Sequence, residues 1–321
     1  MTDLEQLSLL TIYAAMVSYT VALIAFAIDT SSLRAMRDAT GQVIKRKRRA
    51  SAVEAAAKAE PGDTLIDSPP EEVTEIPRGK AYGIAMSTLT LGLAFQAIGV
   101  VTRGIAAGHV PWSNLYELTI TVTAVIIGLY LWLDRKHSMR FLGVLVVLPI
   151  LLALGVAVAI LYQAIEGLPP ILESVWLVLH VSTAIGAIAV FAIAALLAML
   201  QLTVSGGWAS RNRIVSHLPE ADFLERLSYR FAAVGFVMWT FTLVAGAIWA
   251  NDAWSRPWGW DPKEVWTFVI WVIYAAYLHA RATRGWDGRR AAMLVILGMV
   301  AILGNYFVVN FLLDTKHGYA F

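Results

Sequence analysis

Apolar residues collect in eight long runs, at 9–28, 82–101, 115–133, 141–165, 175–204, 231–250, 265–282 and 291–313, with polar residues confined to the stretches between them. A helix needs about 20 apolar residues to cross a hydrocarbon core of roughly 30 Å, and these runs are of that length. The pattern predicts an all-α polytopic membrane protein of about eight transmembrane helices, with both termini on one side. Composition agrees: 58% of the 321 residues are hydrophobic and mean hydropathy is +0.65, whereas soluble domains are nearer half apolar.

Charge then orients the bundle. The connecting stretches 31–80, 134–140, 205–230 and 281–290 hold 21 of the 25 Lys and Arg, and the opposite set, with the termini, holds only Arg103, Arg256, Lys263 and Lys316. The positive-inside rule makes the first set cytoplasmic, so the termini and the loop near 254–261 are expected outside. The net charge of +2 reports this topology and gives no reason to expect nucleic acid. Cysteine is absent, which excludes thiol exchange, disulfides and thiolate metal ligation by the chain itself. The first run lacks a preceding basic region and is too long for a signal-peptide core, so no cleavable signal is expected.

Three segments are then expected: a first transmembrane helix over 1–30, a cytoplasmic basic and low-complexity linker over 31–80, and a compact transmembrane domain over 81–321. The linker carries KRKRR at 45–49 and a Pro-containing stretch of mixed charge, which favours a solvated segment. Within 205–230, PEADFLERLSYR reads as a brief amphipathic helix at the inner face. No internal repeat of the inverted-transporter kind is evident.

Between the sixth and seventh runs lies WANDAWSRPWGWDPKEVW (249–266), with five of the chain's twelve tryptophans. Tryptophan favours membrane interfaces, and DPKE has an ordinary meaning as a helix start: Asp261 as N-cap, Pro262 in the first turn and Glu264 as the capping-box acid. That accounts for DPKE and leaves four tryptophans before it. Rings crowded beside a helix start also suit a large planar ligand, and spacing alone leaves the two readings level.

The histidines differ in kind. His137 and His217 lie among charges in cytoplasmic stretches and read as surface residues, and His109 in the outer GHVPWSNLYE stretch is open to either reading. His180 and His279 interrupt apolar helices, where an ionisable group is costly and needs a partner. At 1.5 Å per residue, His180 lies about 10 Å inside the outer boundary and His279 about 22 Å, too far apart in depth for one small ion. Two sites follow, with His180 and His317 able to meet at the outer face beneath the tryptophans. Two imidazoles beside flat rings suit haem better than zinc, because haem has two axial positions and a planar surface. The alternative, three histidines satisfied by helix neighbours, remains open on this argument alone.

LERLSYRFAAVGF, followed by GAIWANDAWSRPWGWDPKEVWTFVIWVIYAAYLHARATRGWDG, closely resembles the CcsA (ResC) family, the haem-handling membrane subunit of the System II cytochrome c synthase. GHVPWSNLYE and SVWLVLH resemble two further family blocks, so the likeness covers roughly 81–321. The resemblance implies that His180 and His317 are axial ligands of an outer haem b, and that His279 ligates a haem held within the membrane, opposite a ligand from a CcsB (ResB) partner. It implies that Trp254, Trp258, Trp260 and Asp261 form the WWD signature that holds haem. Two departures stand out: Ser255 and Pro257 interrupt the family's usual WGxYWxWD, and the usual final GLHSY is TKHGYAF here.

The function so implied is holocytochrome c synthase (cytochrome c haem lyase) activity with the partner, in the plasma (inner) membrane. Haem crosses the membrane and is joined to CxxCH of apocytochrome c, whose thiols are kept reduced by other proteins. Arg256 and Lys263 are candidates for the propionates by charge. Competing readings are haem delivery of the CcmC or CcmF type without synthase activity, a b-type electron-transfer subunit, and a haem-free transporter.

Overall fold

The computed structural model describes residues 2–58 (backbone alone over 32–58), 79–165, 172–206, 218–283, 286–313 and 315. All eight apolar runs are helices: α1 (Asp3–Lys58), α2 (Lys80–Ala107), α3 (Leu115–His137), α4 (Gly143–Ala159), α5 (Val175–Ser205), α6 (Ala221–Trp254), α7 (Pro262–Ala282) and α8 (Arg289–Leu312). Each, α4 together with the 3-10 turn Arg140–Leu142 that leads into it, contains a stretch long and apolar enough to span a bilayer, and no strand occurs among the described residues. The chain is an all-α polytopic membrane protein.

Three boundaries differ from the sequence pattern. The first helix does not stop near 30 but continues through Lys58, because Arg, Lys and Ala are all good helix formers; 59–78 lies outside the described residues. The amphipathic piece expected near 221–230 is the opening of α6, one 34-residue helix with no proline to break it. And α4 ends at Ala159 rather than 165, where tertiary bonds at Tyr162 and Gln163 outcompete further helix.

Local chemistry sets the ends that matter for the site. Gly108 closes α2 in the left-handed region at φ 71, Asn114 caps α3 by accepting from Glu117 N–H at 2.9 Å, and Ser174 caps α5 by accepting from Trp176 N–H at 3.2 Å. Each side-chain cap satisfies a donor that the helix leaves open.

The helices pack as two groups. One core joins α1–α4 and reaches one face of α5 and the start of α6; in it Gln96 bridges three helices: its Oε1 accepts from Tyr19 OH at 2.6 Å, and its Nε2 donates to Ile120 O and Thr123 Oγ1, both at 2.8 Å. The second core joins α5–α8 around Phe191 stacked on Tyr274 at 3.7 Å. Within these groups α1 lies chiefly on α2 and α5 on α6, while α3 meets α5 across the seam. Buried polar bonds of this sort suit a bundle whose surroundings offer no water.

Candidate functional site: a cavity beneath the tryptophan loop

Along the seam between the two groups runs a cavity of about 1110 Å³, walled by α3, α4, α5, α6, the first turns of α7, and α8, and by the connections at one end of the bundle. Its lining is mostly apolar, and its size lies just above the range of ordinary ligand pockets, roughly 300–1,000 Å³. Pro149, inside α4, forms part of the wall; with no N–H to give, proline is tolerated there at the cost of one helical bond.

His180 stands in this wall, in the second turn of α5. Its Nδ1 lies 2.8 Å from the carbonyl oxygen of Thr242 on α6. A carbonyl only accepts, so Nδ1 carries the proton and Nε2 carries the lone pair, the arrangement of a metal-ligating imidazole whose other nitrogen is fixed by a backbone carbonyl. The ring fits because residue 246 is glycine: a Cβ there would lie 2.6 Å from His180 Nδ1 and 2.7 Å from Cε1. Thr242 and Gly246, one turn apart on α6, therefore orient the imidazole. Neither stands out in the sequence, since each reads there as an unremarked small residue of an apolar run.

The tryptophan loop covers the same end. Trp249, buried, meets Trp254 edge to face at 5.0 Å, and Trp258 meets Trp260 at 5.8 Å and Phe268 at 6.3 Å. Trp249, Trp254 and Trp258 line the cavity. Trp260 is 77% exposed on the loop's outer side, so the four signature positions do not act alike. The loop is built on Glu264, which accepts from Gly259 N–H at 2.7 Å and Asp261 N–H at 3.2 Å and pairs with Arg256 at 3.5 Å. Asp261, buried, completes the capping box of α7 and accepts from Thr315 Oγ1 at 2.5 Å. Its visible work is to start α7 and tie down the chain after α8.

Of the two cations considered for the propionates, Arg256 is committed to Glu264 and packs over Trp254 at 5.8 Å. Lys263 turns inward to the cavity wall and donates to Asn305 O at 3.3 Å and Asn310 Oδ1 at 2.5 Å on α8. His109 also lines the cavity, its Nδ1 3.0 Å from Val110 O.

His279 is elsewhere. It lies in the last turn of α7, at the opposite end of the bundle from the tryptophan loop, on an exposed stripe with Val269, Val272 and Ala276. Among the described spans, α7 is the one least covered by its neighbours. His180 and His279 are thus not brought together. His317 and His217 lie outside the described residues.

A buried ionic cluster that the sequence reading passed over sits beside the cavity. Arg103, 1% exposed, donates from Nε to Glu117 Oε1 at 2.9 Å and from Nη2 to Gln163 O at 2.7 Å, and approaches Glu5 at 3.5 Å. Glu117 holds Ser113 through both N–H and Oγ, at 3.0 and 2.8 Å. Tyr162 OH donates to Glu5 at 2.9 Å; burial first, then this bond, pushes its phenol above the ordinary value. The signal available beforehand was an Arg inside an apolar helix, which demands a partner.

Known proteins carry the same pattern. The family described as Cytochrome C assembly protein matches residues 112–317. A cytochrome c biogenesis protein CcsA of Prochlorococcus marinus strain SARG is 37% identical over 251 residues, covering 70% of this chain and 79% of its own length. The CcsA protein of Chlorella vulgaris is 32% identical over 273 residues, covering 75% and 84%. Among solved structures, the cytochrome c haem lyase CcmF shares the fold at a TM-score of 0.59 and 15% identity, over 98% of this chain but only 48% of its own. The family match and the extent of these relatives establish that the chain belongs to the cytochrome c assembly family, among its CcsA members, and that it serves cytochrome c biogenesis.

Proposed function

We propose that this chain, with a CcsB (ResB)-type membrane partner, carries haem b across the membrane and presents it at the outer face to the CxxCH motif of apocytochrome c. The observation that carries the reading is the His180 imidazole, protonated at Nδ1 by its bond to Thr242 O and set in the wall of a large apolar cavity beside Trp254 and Trp258. An apolar slot, a ligating nitrogen and indole faces together fit a porphyrin. His317, which the family resemblance implies, would supply a second ligand to the haem; Thr315, two residues earlier in the sequence, is tied to Asp261. The lysine and arginine distribution supports an outer position for this end.

His279, on the exposed stripe of α7, ligates haem in transit, with the opposite ligand coming from the partner across that surface. Haem supplies the vinyl groups; each apocytochrome thiol adds its sulfur and its hydrogen across one vinyl double bond, forming a thioether with nothing left over. The chain's share is to hold and orient the macrocycle and keep water from it. Thiols must arrive reduced, so separate thiol-reducing proteins act on the apocytochrome.

The test is a co-purification of the chain with its partner, followed by absorption spectra. His180→Ala and His317→Ala are expected to lose the outer low-spin haem signal while a distinct pool at His279 persists, and His279→Ala to lose that pool and with it the loading of the outer site. Covalent haem on a CxxCH reporter, in cells lacking their own maturation system, should require all three. A complex that purifies intact without porphyrin overturns the proposal.

A further inference from the structure

The cavity is mostly apolar, and a lysine stands in its wall where α7 and α8 meet beneath the tryptophan loop. The ammonium of this residue, Lys263, is held by the carbonyl of Asn305 and the side-chain oxygen of Asn310. Next to it is Asn305 itself, which lines the cavity, is 9% exposed, and leaves its Oδ1 without a hydrogen-bond partner. Buried amides are nearly always satisfied, so an orphaned one at a cavity wall calls for a ligand. The two ends of a side-chain amide exchange places by a half-turn about Cβ–Cγ, after which Nδ2 stands where Oδ1 stood and Oδ1 where Nδ2 stood.

We propose that Lys263 and Asn305 form a carboxylate subsite of this cavity, which takes a propionate of the haem while His180 faces the iron. The inference rests on the haem reading above and adds to it a polarity for the bound macrocycle, with a carboxylate edge toward α7 and α8. An ammonium already withdrawn from water is paired with an anion at little further desolvation cost, and it does so far more strongly than at a surface. Two carboxylates are near. Glu264 is occupied by Arg256 and by the N–H groups of Gly259 and Asp261, and Asp261, which accepts from the N–H of Lys263 and from Thr315 Oγ1, acts on the ammonium through its charge. Both support the loop, and a propionate would be a further anion beside them. The start of α7, with its partial positive charge, lies on the same side. The apolar remainder of the wall then meets the vinyl-bearing edge.

The full chain in detergent, stripped of haem, is titrated with haemin and with haemin dimethyl ester, in which both carboxylates are masked. The readout is the low-spin spectrum that imidazole ligation produces, which separates the site from haemin dissolved in micelles. Wild type is expected to favour haemin over the diester by about tenfold or more. Lys263→Met and Asn305→Leu should each collapse that preference toward one by weakening haemin alone, and Asn305→Asp should reverse it by setting a second carboxylate in the subsite. Retained binding of the diester certifies that each variant is folded. Equal binding of both ligands by wild type, or variants that keep the wild-type preference, overturns this inference and leaves the haem site standing. If wild type ligates neither, both proposals fall together.

Discussion

The two halves of the bundle differ in where their most costly polar groups point. In α1–α4, Arg103 is enclosed by Glu117, Glu5 and the carbonyl of Gln163, and Gln96 has a partner at both ends of its amide. In α5–α8 and along the seam, polar groups stand at the edge of a cavity: His180, Lys263 and Asn305 all line it. The first half uses these residues to close contacts between helices; the second has closing bonds too, such as Ser228 Oγ to Ala194 O and Gln201 Nε2 to Glu225, but adds groups that face a space. A membrane bundle needs the first kind to stay assembled and the second kind to handle a ligand, and here the ionisable members of the second kind gather in α5 and α7.

The largest expected effect breaks the closed half. Arg103→Met leaves Glu5 and Glu117 buried without their cation, and removal of one partner from a buried ion pair costs about 3–5 kcal/mol. Thermal unfolding in detergent should show a large fall in midpoint, with part of it recovered in the double variant Arg103→Met, Glu117→Gln. A variant as stable as wild type would mean that the cluster is not what holds α1, α2 and α3 together at this end.

A smaller effect sharpens the contrast by using the same substitution in both halves. Gly246→Ala puts a Cβ 2.6 Å from His180 Nδ1, so the imidazole must leave Thr242; overpacking of this kind costs about 1–3 kcal/mol. The helical content should survive while the low-spin haem absorption falls. Gly155→Ala, in α4, meets nothing nearer than Met16 at 4.0 Å, and replacing a helical glycine by alanine should there gain about 0.5–1 kcal/mol with the spectrum unchanged. If both variants lose haem alike, Gly246 has no special part in seating His180.

The helices were legible because a span announces itself by length and hydropathy alone, which is why all eight runs became helices. Their ends were less so. Propensity carried α1 past 30, continuity merged 221–230 into α6, and the bonds of Tyr162 and Gln163 stopped α4 early. At the site, His180 could be singled out because a histidine in an apolar helix is conspicuous, and the DPKE motif at 261–264 does form the expected capping box. Thr242, Gly246 and Asn305 could not. Their roles arise from facing another helix or a cavity, and no pattern within one helix encodes what lies opposite it. Arg103 and Glu117 were visible as charges, yet their pairing across 14 residues depends on how the α2–α3 turn folds back.

The smallest effect concerns the departure of this loop from its family pattern. Ser255 ends α6 in the left-handed region at φ 56, ψ 27, the conformation that a glycine takes without strain and that disfavours any residue with a Cβ by about 1 kcal/mol. The family's usual glycine after the first signature tryptophan is thus explained by backbone geometry, and this chain keeps the turn despite lacking it. Trp260 holds φ 58 in the same loop, so two residues in the left-handed region lie on either side of Trp258, which lines the cavity. Ser255→Gly relieves one of them and removes only a hydroxymethyl group from an exposed position. The unfolding midpoint should rise by about 2 °C with the low-spin spectrum intact. A fall in haem binding with that gain in stability would show instead that the stiffness of the Ser255 turn is needed to keep Trp254 and Trp258 in register with His180, and would extend the ligand-handling half of the molecule into the backbone of the loop itself.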